Sequence, residues 1–292
     1  MGSSDDGYFP RDTSVLRRVM RERVVNLLYG QRALMIGALQ PVAFIGTTQR
    51  STAHARPWQR LVQTAEFFDA VFFGSRAEAD RALAITHKLH RRVVGTIGVQ
   101  AGTYGPETPY SALDPDLMVW VTAPVFDSAR VLYETLVRRL NEAEREQLYR
   151  ESVRWGELFG MPRDAMPATY AAFEQWWPAR LSDESIFLTD EARAVGLAIG
   201  TRPPAPDALR PAMQLAGFVV VGSLPPLVRE QYGLQWGRAD EAAYRTLALA
   251  VRSGRPFVPS TLRRGSSAQL YEVLSRTERA RAKTGRHSFV TT

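Results

Sequence analysis

Helix start signals recur along the chain, whereas patterns typical of β-strands are few. Ser75 with Glu78 and Asn141 with Glu144 have the spacing of capping boxes, and Asp114 precedes a proline that suits the first position of a helix. Apolar residues then return at the spacing expected for one side of an amphipathic helix. The chain is therefore predicted to be all-α.

The predicted helices and loops fill most of the chain. Glycines after apolar segments are taken as stops, among them Gly30, Gly74 and Gly95. Helices are predicted at residues 13–29, 32–39, 58–72, 76–94, 115–136, 142–160, 168–180, 190–200, 206–221, 239–253 and 267–282, with loops at 46–57 and 95–112. No composition change divides the chain clearly, so residues 1–292 are expected to form a single large helical domain with loose ends at about 1–8 and 285–292.

Composition excludes several kinds of site. The chain contains no cysteine, so it has no disulfide, no iron–sulfur cluster, no thiolate-ligated haem and no covalently attached c-type haem. Its net charge is +7, but the arginines are scattered in pairs and form no basic helix or stripe typical of nucleic-acid binding. We expect no nucleic-acid partner.

The chain shows neither an export signal nor a membrane span. Two acidic residues stand near the N-terminus where a secretory signal would be basic and then apolar. The most apolar windows, residues 33–46 and 215–228, are short and interrupted by prolines. We therefore expect a cytoplasmic protein.

His90 lies mid-stripe on the apolar face of the predicted helix 76–94. Leu83 shares that face, and Arg81 and Lys88 lie on the opposite side. A histidine in this position is either an iron ligand or a core residue hydrogen-bonded to a carbonyl, and periodicity leaves both open. His87 shares the face, but no carboxylate stands at the spacing of zinc or di-iron sites, which makes such a site a weaker alternative.

Short stretches in a fixed order resemble the family that includes the MpaB oxygenases and the rubber oxygenases (latex clearing proteins). The resemblance runs nearly end to end, and its order and spacing are more specific than any single piece. The stretches are Gly7 to Pro10, Gly30 to Leu34, Gln40 to Ala43, Arg60-Leu61 with Thr64, Phe73-Gly74 with Ala77 to Ala79, His90 to Gly95, Tyr110 to Pro115, Trp120-Val121, Leu158 to Gly160, Pro167 to Thr169, Leu224-Pro225 and Tyr232 to Leu234.

The resemblance implies a non-covalent haem b in an all-helical, globin-reminiscent core. It makes His90 the proximal iron ligand and places Arg60 and Thr64 on the distal, oxygen-binding side. Without the resemblance, Arg60 would be read as a surface ion-pairing residue and Thr64 as an ordinary helix residue. His54, on the loop before Arg60, is expected to be exposed to solvent.

Three positions depart from the rubber-oxygenase pattern. Gln63 stands where those enzymes carry a lysine, and Val94 stands where an arginine is usual. Their upstream acidic residue has no counterpart in the apolar segment at residues 42–45. These changes argue against cleavage of rubber.

The leading hypothesis is a haem-dependent oxygenase or peroxygenase that uses dioxygen or hydrogen peroxide on a small, largely apolar molecule. Two alternatives stay open. One is a haem-binding sensor or carrier without turnover, and the other is a haem-free helical ligand-binding protein. The aromatic residues Phe44, Phe67, Phe68 and Trp120 are more typical of a core than of a pocket.

Overall fold

Helices begin at the start signals that the sequence carries. In the computed structural model, which describes residues 7–49, 57–266 and 268–283, the Ser75 hydroxyl accepts from the Glu78 N–H and the Glu78 carboxylate accepts from the Ser75 N–H. Asn141 and Glu144 form the same reciprocal cap. The Asp114 carboxylate accepts from the first turn of the helix that follows it. Each cap satisfies N–H groups that have no partner within the helix.

The described residues are mostly helical, and the all-α prediction is confirmed. The helices are α1 (Val15–Met20), α2 (Arg23–Asn26), α3 (Tyr29–Gly37), α4 (Pro41–Gln49), α5 (Pro57–Phe73), α6 (Arg76–His90), α7 (Pro115–Leu136), α8 (Glu142–Leu158), α9 (Tyr170–Leu181), α10 (Asp190–Thr201), α11 (Arg210–Ser223), α12 (Pro226–Gln231), α13 (Arg238–Gly254), α14 (Ser260–Arg263) and α15 (Ala268–Lys283). Two short strands, β1 (Val94–Thr96) and β2 (Pro109–Ser111), pair antiparallel.

The prediction of one continuous first helix over residues 13–29 is wrong, because this range holds α1, α2 and the start of α3. Its backbone becomes extended at Glu22, and the Glu22 carboxylate pairs with Arg255 far along the chain. Gly30, predicted to end that helix, lies inside α3. A Cβ at Gly30 would lie 2.9 Å from the Tyr271 hydroxyl oxygen, so this glycine permits a close approach between helices.

Two other boundaries differ from prediction, one because β1 and β2 were missed and one because α4 was not predicted. The helix with both central histidines ends at His90 instead of Val94, since Val94 pairs with Ser111 in the sheet. The predicted loop at residues 46–57 begins late, because α4 continues to Gln49. The predicted loose ends at 1–8 and 285–292 lie largely outside the described residues.

The side chain of Tyr110 joins α4 to the β1–β2 hairpin. A Cβ at Gly46 of α4, or one at Gly95 of β1, would lie 2.8 Å from an atom of the Tyr110 side chain. The Tyr110 hydroxyl also donates to the Gln49 side-chain oxygen at 3.2 Å. The two glycines thus let α4 and the hairpin close around one aromatic ring.

A buried ion pair holds α3 against α7. The Arg32 guanidinium lies 2.8 Å from the Asp127 carboxylate, with Arg32 only 1% exposed. Arg32 also donates to the Ser128 hydroxyl and to the Ser223 carbonyl. Burial acts to raise the pKa of Asp127, but Arg32 and Arg130 outweigh it and hold that pKa below its ordinary value. The pair therefore stays charged inside the core.

Among the helices within the described ranges, none is long and apolar enough to cross a membrane.

We expect Asp127→Asn to lower the free energy of unfolding by about 3 kcal/mol or more, because it leaves Arg32 charged and buried without its counter-ion. Urea unfolding followed by circular dichroism measures the change. Glu272→Gln is the matched control, since it removes a solvent-screened partner of Arg276 and should change the free energy of unfolding far less. Equal losses in the two variants would contradict this account.

Candidate functional site

The antiparallel helices α5 and α6 bring the predicted site residues to one end of a helical hairpin. The hairpin turns at Gly74 and Ser75. Arg60 lies 13 residues before the end of α5, and His90 lies 14 residues after the start of α6. At 1.5 Å per residue both lie about 20 Å from the turn. Arg60 and His90, which are 30 positions apart in sequence, therefore lie at about the same height along the hairpin axis.

The turn end of this hairpin is held by α1. The buried guanidinium of Arg17 donates to the Phe73 carbonyl at 2.8 Å and to the Phe9 carbonyl at 2.9 Å. The opposite end, with Arg60 and His90, lies next to α4. These two hydrogen bonds therefore fix the hairpin at its turn, which is the end away from the candidate site.

Arg60 is partly buried in the first turn of α5. Its Nη1 donates to the Thr47 carbonyl at 3.3 Å, near the C-terminus of α4. Burial lowers the pKa of Arg60. Arg60 thus has a backbone carbonyl as one partner, and its side chain has lost part of its solvent.

Thr64 follows one turn after Arg60 on α5. Residues four apart share a helix face, so the hydroxyl and the guanidinium lie along one side. Thr64 is partly buried, between the buried residues Val62 and Ala65 and the exposed Gln63. Thr64 therefore lies at the border between the packed and the open side of α5.

His90 is the last residue of α6 and is partly buried. Its Nδ1 atom is buried and has no hydrogen-bond partner in the described part of the chain. Burial, and then the neighbouring His87, lower the pKa of His90. The imidazole is therefore neutral at neutral pH, and one buried ring nitrogen is left unsatisfied.

His87 is held differently from His90, although both lie on α6. Its Nε2 atom lies 2.9 Å from the Leu158 carbonyl oxygen at the end of α8. Because a carbonyl only accepts, this nitrogen carries the proton. His87 therefore has the hydrogen bond of an ordinary core histidine, which His90 lacks.

Two apolar clusters pack against the hairpin, one nearer its turn and one beside α4 at its open end. One is aromatic, with Phe68 4.7 Å from Trp155 and 5.6 Å from Phe159 between ring centroids. The other joins α4 to the β1–β2 hairpin and contains Val42, Ile45, Ile97, Ala101 and Tyr110, with Val93 packed against it. Phe68 and Trp120 thus belong to packed clusters, as aromatic residues of a core do.

The other positions singled out in the sequence lie in different parts of the chain. His54 lies outside the described residues. Val94 is in β1 and exposed, whereas the apolar segment at 42–45 lies in α4 with Val42 and Ile45 buried under the hairpin. Sequence reasoning missed the Thr47 and Leu158 carbonyls, since a backbone acceptor distant in sequence has no signature of its own.

Comparison with known proteins gives one family and two relatives. A family model described as "ER-bound oxygenase mpaB/B'/Rubber oxygenase, catalytic domain" matches residues 17–253. An uncharacterized protein of Mycobacterium tuberculosis and one of Mycobacterium bovis are each 25% identical to the chain over 212 residues, which is 70% of this chain and 78% of theirs. No solved structure matches the chain significantly.

We expect His90 to titrate below about 6.5, the ordinary pKa of a histidine. Two-dimensional NMR of the imidazoles against pH, assigned with His90→Gln, measures it. His87→Gln, whose amide can still donate to the Leu158 carbonyl, should raise the pKa of His90 because a neighbouring positive charge is removed. Because the folded chain binds this proton less tightly than the unfolded chain, acidification through this range should favour unfolding. An unshifted His90 would contradict its burial.

Proposed function

Because the chain belongs to the mpaB/rubber oxygenase catalytic-domain family over residues 17–253, we propose that it is a haem b-dependent oxygenase or peroxygenase. Its oxidant is dioxygen or hydrogen peroxide, and its substrate is a small, largely apolar molecule of the cytoplasm. The whole chain acts as one domain around a globin-reminiscent haem-binding core.

The unsatisfied Nδ1 atom of His90 is the observation that carries this proposal. Iron is held by neutral imidazole, and burial keeps His90 neutral. A porphyrin would bring most of the ligands of its iron with it, so a single histidine would be enough to hold it. Because His87 already bonds to the Leu158 carbonyl, His90 is the better ligand of the two. Haem, when bound, supplies the redox chemistry that no side chain of this protein can supply.

Arg60 and Thr64 would act on the oxidant. The Arg60 guanidinium is fixed by the Thr47 carbonyl and partly desolvated. A fixed, desolvated cation stabilises negative charge that develops nearby during reaction more strongly than a solvated one. The Thr64 hydroxyl, one turn away, can donate or accept a proton on the same side of α5.

The apolar surroundings of the site favour an apolar substrate. The cluster beside α4 offers aliphatic surface near Arg60, and the aromatic cluster lies further along the hairpin. Gln63 and the apolar segment at 42–45 replace the lysine and the acidic residue of rubber oxygenases. These replacements argue against the base used to cleave a polymer chain and favour a different, smaller substrate.

We expect the purified protein to bind one haem b per chain, extractable by acid acetone because the chain contains no cysteine. His90→Ala should abolish haem binding, whereas His87→Ala should retain it. Hemin titration followed by the Soret absorbance measures both. Added imidazole should partly restore the spectrum of His90→Ala by occupying the space that the side chain leaves.

Three outcomes would contradict this assignment. A protein that takes up no hemin removes the haem proposal altogether. Loss of haem in His87→Ala with retention in His90→Ala would exchange the two histidines. Haem binding without turnover of peroxide and a reducing dye would favour a sensor or carrier.

We expect Arg60→Ala to keep haem but to lower turnover about 100-fold or more, because one donor to developing negative charge is removed. Steady-state oxidation of a reducing dye, normalised to haem content, measures this loss. Arg92→Ala is the matched control, since this arginine is exposed just beyond α6 and should leave turnover unchanged. Normal turnover in Arg60→Ala would place Arg60 outside the reaction.

A further inference from the structure

A short segment between α13 and α15 carries the most exposed aromatic ring of the described chain. We call this segment, residues 255–264, the tip. Phe257 is 87% exposed, Leu262 is 61% exposed and Val258 is 40% exposed. Scattered apolar residues on a surface are ordinary, but three large ones within six positions form a patch. The tip lies beyond residue 253, where the family match ends.

Both ends of the tip are fastened to the chain around α2. Arg255 donates to the two carboxylate oxygens of Glu22 at 2.5 and 3.1 Å. At the other end, the Arg264 carbonyl accepts from Arg23 at 3.0 Å, and the Gly265 N–H donates to the Arg21 carbonyl at 3.1 Å. Because Glu22 is itself buried, these anchors are part of the fold.

The tip is ordered between its anchors. Pro256 and Pro259 fix the backbone on either side of Phe257 and Val258. The Val258 N–H donates to the Arg255 carbonyl at 3.1 Å, and the Arg263 N–H donates to the Pro259 carbonyl at 3.0 Å. The fold therefore holds Phe257 out in solvent, although burying such a ring would be favourable by about 2 kcal/mol.

The charge around the patch is positive. Arg263 and Arg264 belong to the tip, and Arg21 and Arg23 lie beside its anchored end. Glu22 is the acidic residue at the anchor, and its carboxylate is already paired with Arg255. A second copy docked symmetrically here would face the same arginines, which disfavours self-association. An anionic surface with an apolar interior complements both features.

We propose that the tip binds the surface of a membrane that contains anionic lipid. Phe257, Val258 and Leu262 enter the boundary between headgroups and acyl chains, and Arg21, Arg263 and Arg264 pair with lipid phosphates. This contact needs neither haem nor turnover, so it stands apart from the proposed oxygenase function. It would hold the chain where apolar molecules concentrate.

Flotation of the protein with lipid vesicles tests the proposal. One set contains phosphatidylcholine alone and the other contains about 30% phosphatidylglycerol as the anionic lipid. The protein should float with the anionic vesicles and be released by high salt. Phe257→Ser combined with Leu262→Ser should lower the partition coefficient by about tenfold or more. Leu215→Ser, at a half-exposed leucine of α11, is the matched control and should bind as the parent protein does.

Unfolding midpoints and light scattering separate the remaining outcomes. All three substituted positions are exposed, so the variants should unfold at the same urea concentration as the parent protein. Failure of the parent protein to bind anionic vesicles would overturn the proposal, as would unchanged binding by the double variant. A change from dimer to monomer in the double variant would also overturn it and assign the patch to a second copy.

Discussion

The ion pair between Arg32 and Asp127 is the constraint on which the arrangement of the central helices depends. Both side chains are almost fully buried, and Arg32 also bonds to the Ser223 carbonyl at the end of α11. A buried charge without its partner is strongly unfavourable, so any register of α3 and α7 that separates the two is penalised. Apolar packing tolerates small shifts, whereas this pair admits one arrangement. The core around it can therefore be rich in interchangeable apolar residues.

The candidate site depends on a second, smaller set of polar contacts at the open end of the α5–α6 hairpin. His87 bonds to the Leu158 carbonyl, which fixes the rotation of α6 against α8. His90, three residues further, then has a buried ring nitrogen without a partner. The hydrogen bond of His87 thus sets the orientation of α6, and with it the position of His90. In the proposed oxygenase the two residues have separate roles, one in the fold and one toward the cofactor.

The elements that depend on local chemistry could be predicted from sequence, and those that depend on distant contacts could not. Caps such as Ser75 with Glu78 involve neighbours in the chain, so their residues are sufficient to identify them. Gly30 resembles a stop, yet its role is to admit Tyr271, some 240 residues away. The end of α6 at His90 depends on strand pairing with residues 109–111. For the same reason, a family pattern could point to His90 and Arg60 as candidate site residues, but it could not identify the Thr47 carbonyl that accepts from Arg60.

Because the Tyr110 ring packs closely against both Gly46 and Gly95, it holds α4 and the β1–β2 hairpin together as one unit. Thr47, which holds Arg60, is the residue next to Gly46 on that unit. The position of the Arg60 guanidinium therefore depends on Gly46 and Gly95, although it donates to the Thr47 carbonyl. A side chain added at Gly46 or Gly95 would press on the Tyr110 ring, and the resulting shift of α4 would also move the carbonyl that accepts from Arg60.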